Sequence, residues 1–153
     1  MINFTFPNFI NANKINDYFN YIATHQSHYL KTPIAINHVA GSFPFTLWNG
    51  GVNSSLIGNL FKNEQIDNVF KNMHSSIRLN FSNLLITNED FYNNYCRLIL
   101  EYGNNGSTVI EITNLNLYAY IKEHYKYYNK FILSSNAWCM KDLTPEEINA
   151  ICE

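Results

Sequence analysis

The sequence predicts an α/β fold: the N-terminal half of a (β/α)8-type barrel, about four parallel strands with crossover helices, preceded by an extra N-terminal helix. Two observations predict it. Between residues 34 and 140, stretches with strand-like and helix-like apolar periods alternate, the pattern of parallel βαβ units. Within each expected strand one parity is apolar and the other is small or polar. A doubly wound sheet carries helices on both faces, so both of its parities are apolar. A barrel has helices outside and a lumen inside, which leaves one parity free to be polar. At 153 residues one domain, 1–153, is expected.

The elements follow in order. Residues 1–9 read as an irregular or edge segment. Ile15, Tyr18, Phe19 and Ile22 recur at helical spacing, so 14–30 reads as an amphipathic helix stopped by Pro33. Residues 34–39 are the first expected strand, and a long loop, 41–51, follows it. Asn63 is the expected N-cap of the next helix, with Ile66, Val69, Phe70 and Met73 on one face. Residues 77–81 are the second strand. Asn88 then opens a helix with Glu89 and Asp90 at the positive end of its dipole, Phe91, Tyr95, Leu98 and Ile99 as its buried stripe and Gly103 as its C-cap. Residues 109–112 are the third strand. Leu117, Tyr118, Ile121 and Tyr125 mark the third crossover helix, and 131–134 the fourth strand. Thr144-Pro145-Glu146-Glu147 has the N-cap, first-turn Pro and capping-box Glu of a further helix start.

Composition narrows the function classes. Apolar residues make up 46%, enough for a core, but charged residues only 14%, and Asn carries much of the polarity. Asn, Ile, Tyr and Lys all have A/T-rich codons, so genome composition accounts for this bias. Net charge is −2 and the ten Lys and Arg are scattered. Electrostatic capture of nucleic acid needs clustered cations, so no nucleic-acid partner is expected. No stretch has the length of a bilayer span, so no membrane partner is expected either. The N-terminus lacks the basic start and apolar run of a signal peptide. Three unpaired-looking cysteines, Cys96, Cys139 and Cys152, fit reduced thiols, and the expected location is cytoplasmic.

The candidate site follows from strand parity and strand ends. Arg78, Asn80 and Ser82 alternate with Ile77, Leu79 and Phe81; Glu111 and Thr113 alternate with Ile110 and Ile112; Ala35 and Asn37 alternate with Ile34 and Ile36. Arg78 and Glu111 then lie on neighbouring strands of the inner face. They form either a structural ion pair or a guanidinium that also grips an anion. Three strands end in hydroxyl and amide residues, Ser82-Asn83, Thr113-Asn114 and Ser135-Asn136. Sites of α/β folds lie beyond these carboxyl ends, although the same residues also favour turns and caps. Trp48-Asn49-Gly50-Gly51 sits on the same rim: a tight turn, or a loop whose backbone N–H groups approach an anion. Trp48 caps a pocket or plugs the barrel. With Asn37 facing inward, His38 has the wrong parity for the lumen and is expected to be a packed histidine. His25 and His28 have a His-x-x-His spacing but no nearby Cys or carboxylate. Cys96 reads as helix core, and Cys139 has no evident His partner to make it a nucleophile.

Several stretches resemble an uncharacterised bacterial family of TIM-barrel proteins, related to the radical SAM barrels and the collagenase-like peptidase barrels. They are Ser42-Phe43-Pro44 leading into Trp48-Asn49-Gly50-Gly51, Ile77-Arg78-Leu79-Asn80-Phe81-Ser82-Asn83, Asn94-Tyr95-Cys96, Tyr120-Ile121-Lys122-Glu123-His124-Tyr125, and Ser134-Ser135-Asn136 with Cys139. The resemblance implies a single-chain barrel about twice this length and no established reaction. Cys-x-x-x-Cys-x-x-Cys is missing, so no iron–sulfur cluster and no S-adenosylmethionine are implied, and no cofactor is expected.

Two functional readings come from these features, and neither decides whether the chain is an enzyme. In one, the rim binds a small polar or anionic molecule, with Arg78 and the Gly50-Gly51 loop holding an anion and Asn80, Ser82, Thr113 and Asn136 orienting it. In the other, the half barrel is a non-catalytic interaction or assembly module, completed by self-association or by a missing C-terminal half. Half a barrel exposes strand edges that proteins otherwise cover.

Overall fold

The computed structural model describes residues 2–7, 12–29, 32, 34–49, 61–73, 75–134 and 146. Five strands form one parallel sheet in the order β1-β2-β3-β4-β5. They are β1 (Ile2–Pro7), β2 (Ile34–Gly41), β3 (Ser76–Phe81), β4 (Val109–Ile112) and β5 (Phe131–Leu133), joined through α1 (Ala12–Tyr29), α2 (Asn63–Asn72), α3 (Asn94–Gly103) and α4 (Leu115–His124). The expected strand–helix alternation is therefore present, with one strand more than expected. The segment at 2–7 pairs along β2 from Ile2 opposite Ile34 to Pro7 opposite Ala40. The helix that follows it is accordingly the first crossover and not an extra element.

Sequential order has a consequence for the faces. Right-handed crossovers that always step in the same direction put every helix on the same side of the sheet. Burial agrees along β3, where Ile77, Leu79 and Phe81 are buried while Arg78, Asn80 and Ser82 are half-buried. Ile110 and Ile112 are fully buried on β4 and join the same core as Ile66 and Val69 of α2, Cys96, Ile99 and Leu100 of α3, and Leu117 and Ile121 of α4. Glu111 is half-buried on the opposite face; Val109 and Thr113, which share its parity, are buried too.

On β2 strict alternation fails. Phe4 is opposite Ile36, but the next β1 residue, Thr5, is opposite His38. Asn37 is the extra residue of a β-bulge, and it is exposed. From there Val39 stands opposite Ile77 and is fully buried, while His38 stands opposite Ser76 and Ala40 opposite Arg78. His38 is therefore on the face of Arg78, not on the helix face, and it is half-buried. The inward Asn37 expected from the sequence is corrected in the same way: one inserted residue exchanges the faces of everything after it.

Helix starts differ in detail. Asn63 is the first residue of α2; the cap is Lys62, whose N–H donates to Gln65 Oε1 at 2.8 Å. The helix expected from Asn88 is two elements. A 3-10 turn, Asn88–Tyr92, is held by Thr87 N–H and Oγ1 donating to Asp90 Oδ2 at 2.7 and 3.0 Å. The chain then turns extended at Asn93, whose Oδ1 accepts from Cys96 N–H at 3.0 Å and starts α3. Gly103 is the last residue of α3, not a left-handed cap beyond it. A Cβ there would meet the Tyr128 hydroxyl and the Phe70 ring, so glycine is needed for close approach. The helix start expected at Thr144, Pro145 and Glu147 lies outside the described residues; Glu146 is helical.

Candidate functional site

The carboxyl ends of the strands are drawn together by the chain after β2. Residues 47–49 make a 3-10 turn that Ser82 and Asn83, just past β3, bind from below. Ser82 Oγ donates to the Asn49 carbonyl at 2.9 Å, Asn83 N–H to the Trp48 carbonyl at 3.0 Å, and Asn83 Nδ2 to the Leu47 carbonyl at 2.8 Å. Trp48 points into the core: it is fully buried, its Nε1–H donates to the Asp90 carbonyl at 2.9 Å, and its ring meets Phe81 edge-on at 5.3 Å. Trp48 therefore packs in the core against Phe81 and does not line the pocket.

Beneath that turn, on the face away from the helices, the side chains form rows set by register. Asn80 is opposite Glu111, and Glu111 opposite Ile132, with Ser42 just beyond β2 donating its hydroxyl to the Asn80 carbonyl at 3.2 Å. One step further along are Ser82, Thr113 and Ser134, which continue past the paired ends of β3, β4 and β5. These two rows enclose a pocket of about 140 Å³, lined by Ser42, Asn49, Asn80 and Phe81 on one side and by Ser82, Glu111, Thr113 and Ser134 on the other. A cavity of about 150 Å³ accommodates a benzene-sized guest, which sets the scale.

The chemistry of the lining is uneven. Arg78 donates through Nε and an Nη to Glu111 at 3.1 and 2.8 Å, both bonds ending on Oε2, and both side chains are about one-quarter exposed (23%/23%). The expected pair thus exists; Arg78 itself does not line the pocket. Asn80 Oδ1 is buried and has no hydrogen-bond partner among the described residues. That is costly for an amide oxygen unless something else supplies a donor. His38, on the same face toward the amino ends of the strands, has a buried Nδ1 that likewise has no partner among the described residues. Burial first, then the positive charges of Arg78 and Lys130, hold its pKa below the ordinary value.

The remaining rim residues divide between pocket and scaffold. Asn49, Asn80, Ser82, Glu111 and Thr113 line the pocket. Asn83 clamps the 3-10 turn. Asn114 caps α4 through Oδ1 to the N–H groups of Asn116 and Leu117, both at 3.0 Å, and its Nδ2 reaches the Leu84 and Ile86 carbonyls at 3.4 and 3.3 Å. Gly50, Gly51, Ser135, Asn136 and Cys139 lie outside the described residues. Three lining residues were not expected as site residues: Phe81, which belongs mainly to the core, and two serines. Ser42 sits one place past β2, and Ser134 is the first rim residue because β5 ends at Leu133. A rule that every residue just past a strand end belongs to the rim would have found both.

Elsewhere, Cys96 is buried in the core as expected, and burial pushes its thiol pKa up to about 11. His25 stacks on Tyr21 at 4.4 Å on α1. No group of three or more His, Cys, Asp or Glu that could hold a metal occurs among the described residues. No helix among the described residues is long and apolar enough to cross a membrane. No family model, no curated protein and no solved structure matches the chain.

Proposed function

We propose that this protein binds a small polar ligand in the pocket at the carboxyl ends of β2 to β5. The observation that carries the reading is a polar cavity lined from four strand ends, one of whose lining residues, Asn80, has a buried Oδ1 with no hydrogen-bond partner among the described residues. Open α/β sheets and barrels alike place ligands there. The anionic form of the reading has less support: Arg78 is paired with Glu111 and does not line the pocket. Sequential strand order and the single helix-covered face favour a barrel-type sheet over a doubly wound one, since a doubly wound sheet reverses direction at a switch point.

The test is a thermal-shift screen of the full chain against small amino, hydroxyl, carboxylate and phosphate compounds, repeated on Asn80→Leu. A ligand present at ten times its Kd stabilises by about 1.4 kcal/mol, roughly 3–6 °C for a chain of this size. The expected result is such a rise for at least one class, abolished in Asn80→Leu. Wild-type protein that no class stabilises would refute the proposal.

A second reading rests on the sheet itself. β1 pairs only with β2 among the described residues, and the face opposite the helices carries the exposed Thr5 with the half-buried His38 and Arg78. A second copy, or further strand–helix units, would cover that face and make the chain an assembly module. Light scattering across protein concentration distinguishes the two readings: a monomer at every concentration counts against self-association.

A further inference from the structure

We infer that the pocket takes a ligand through a protonated amine or guanidine, not through an anion or a neutral acceptor. The inference rests on the pocket being a binding site and concerns only what it binds. Three of its hydroxyls have no proton left to offer. Ser42 Oγ bonds the Asn80 carbonyl at 3.2 Å, Ser82 Oγ the Asn49 carbonyl at 2.9 Å, and Thr113 Oγ1 the Phe81 carbonyl at 3.2 Å. A carbonyl can only accept, so in each pair the hydroxyl must donate, and the hydroxyl oxygen keeps its lone pairs for the pocket.

Two further groups add acceptors. Asn80 adds an amide oxygen that is buried and has no hydrogen-bond partner among the described residues. Glu111 contributes a carboxylate whose Oε2 takes both Arg78 bonds, leaving Oε1 out of the pair. Arg78 thus acts as a positioning residue that fixes the carboxylate beside Asn80, its partner in register. Such a lining offers more acceptors than donors, and among its described residues the Asn80 amide N–H groups and the Ser134 hydroxyl are the donors with no bond inside the protein. An ammonium or guanidinium supplies three to five N–H donors and a charge opposite to that of Glu111. A carboxylate or phosphate placed there would face the Glu111 carboxylate and these lone pairs, with few donors to hold it.

The experiment records amide chemical shifts of the full-length protein by NMR while titrating n-butylammonium, methylguanidinium, butyrate, methyl phosphate, n-butanol, potassium or calcium. The expected result is saturable movement of the Asn80, Ser82 and Thr113 amides with n-butylammonium or methylguanidinium, at millimolar concentration. Glu111→Gln weakens that binding by tenfold or more. Asn80→Asp, which presents acceptor oxygens whichever way its side chain turns, strengthens it several-fold. If the Glu111→Gln protein does not fold, the Asn80→Asp result alone decides, and unchanged or weaker amine binding there overturns the inference. Saturable binding of butyrate or methyl phosphate with no response to the amines overturns it while leaving the pocket reading intact. Binding of potassium or calcium alone does the same in favour of a metal ion. If no probe moves these amides, both the inference and the pocket reading fail.

Discussion

Gly103→Ala is the sharpest test of the packing. By helix propensity alone the substitution stabilises, since alanine is better than glycine inside a helix by about 1 kcal/mol. Here the added Cβ would run into the Tyr128 hydroxyl and stand only 3.0 Å from Cε1 and Cζ of Phe70. Tyr128 is almost fully buried, 3% exposed, and donates to the Leu100 carbonyl at 2.9 Å, so it has little room to retreat without losing that bond. Overpacking costs about 1–3 kcal/mol and the lost hydrogen bond about 1 kcal/mol more. After the propensity gain, a net loss of about 1–3 kcal/mol remains, which lowers Tm by roughly 2–12 °C. Urea unfolding with the slope held fixed measures it. The double variant with Tyr128→Phe removes the obstructing oxygen and should recover part of the loss, giving a coupling of about 1 kcal/mol between the two positions. A Gly103→Ala protein as stable as wild type, or more so, would refute the close-approach argument.

Three further outcomes are expected. Asn114→Ala loses the cap of α4 and its two carbonyl contacts and should cost about 1–2 kcal/mol in urea unfolding, while Asn114→Asp keeps the cap and loses clearly less. Arg78→Met leaves Glu111 half-buried without its partner and should cost about 1–3 kcal/mol. A double-mutant cycle with Glu111→Gln should show favourable coupling, and zero coupling would dismiss the pair as a stabilising contact. The Cys96 pKa is raised on folding from 9.0 to about 11, so the folded state keeps a proton that the unfolded chain releases above pH 9. Stability must then fall as pH rises from 9 towards 11, by about 1.4 kcal/mol at pH 10 from this group. Cys96→Ala should flatten that part of the pH profile, and an equal slope in both proteins would contradict it. Tyr128, pushed well above its ordinary pKa by burial, adds a loss of the same sign at higher pH.

How legible the fold was depends on the element. Ile77, Leu79 and Phe81 against Arg78, Asn80 and Ser82 is a period of two written in six consecutive residues, and β3 carries it unchanged. β1 had the same signal, with Ile2, Phe4 and Phe6 alternating with Asn3 and Thr5. Six residues at a chain end read equally well as an extended segment until a partner strand claims their backbone groups, and β2 does so. The helix from Asn88 failed as a reading because Asn93 caps α3, and an Asn inside a helical period does not announce that it is a cap.

The candidate site divides in the same way. Strand parity alone placed Arg78 beside Glu111 and put Asn80, Ser82 and Thr113 at one rim, because alternation and strand ends are local properties of the chain. Tertiary structure decided the rest. Asn37 became a bulge and turned His38 to the face of Arg78, since register with β1 and β2's own alternation could not both be kept. Trp48 went into the core and Asn83 and Asn114 into scaffolding, since each met a backbone group about 30 to 40 residues away. Whether a rim hydroxyl offers the pocket a proton or a lone pair depends on which carbonyl lies across from it, as with Ser82 and Asn49, 33 residues apart. Spacing along the chain determines which side chains share a face; only the fold determines which hydrogen-bonding capacity on that face is left unspent.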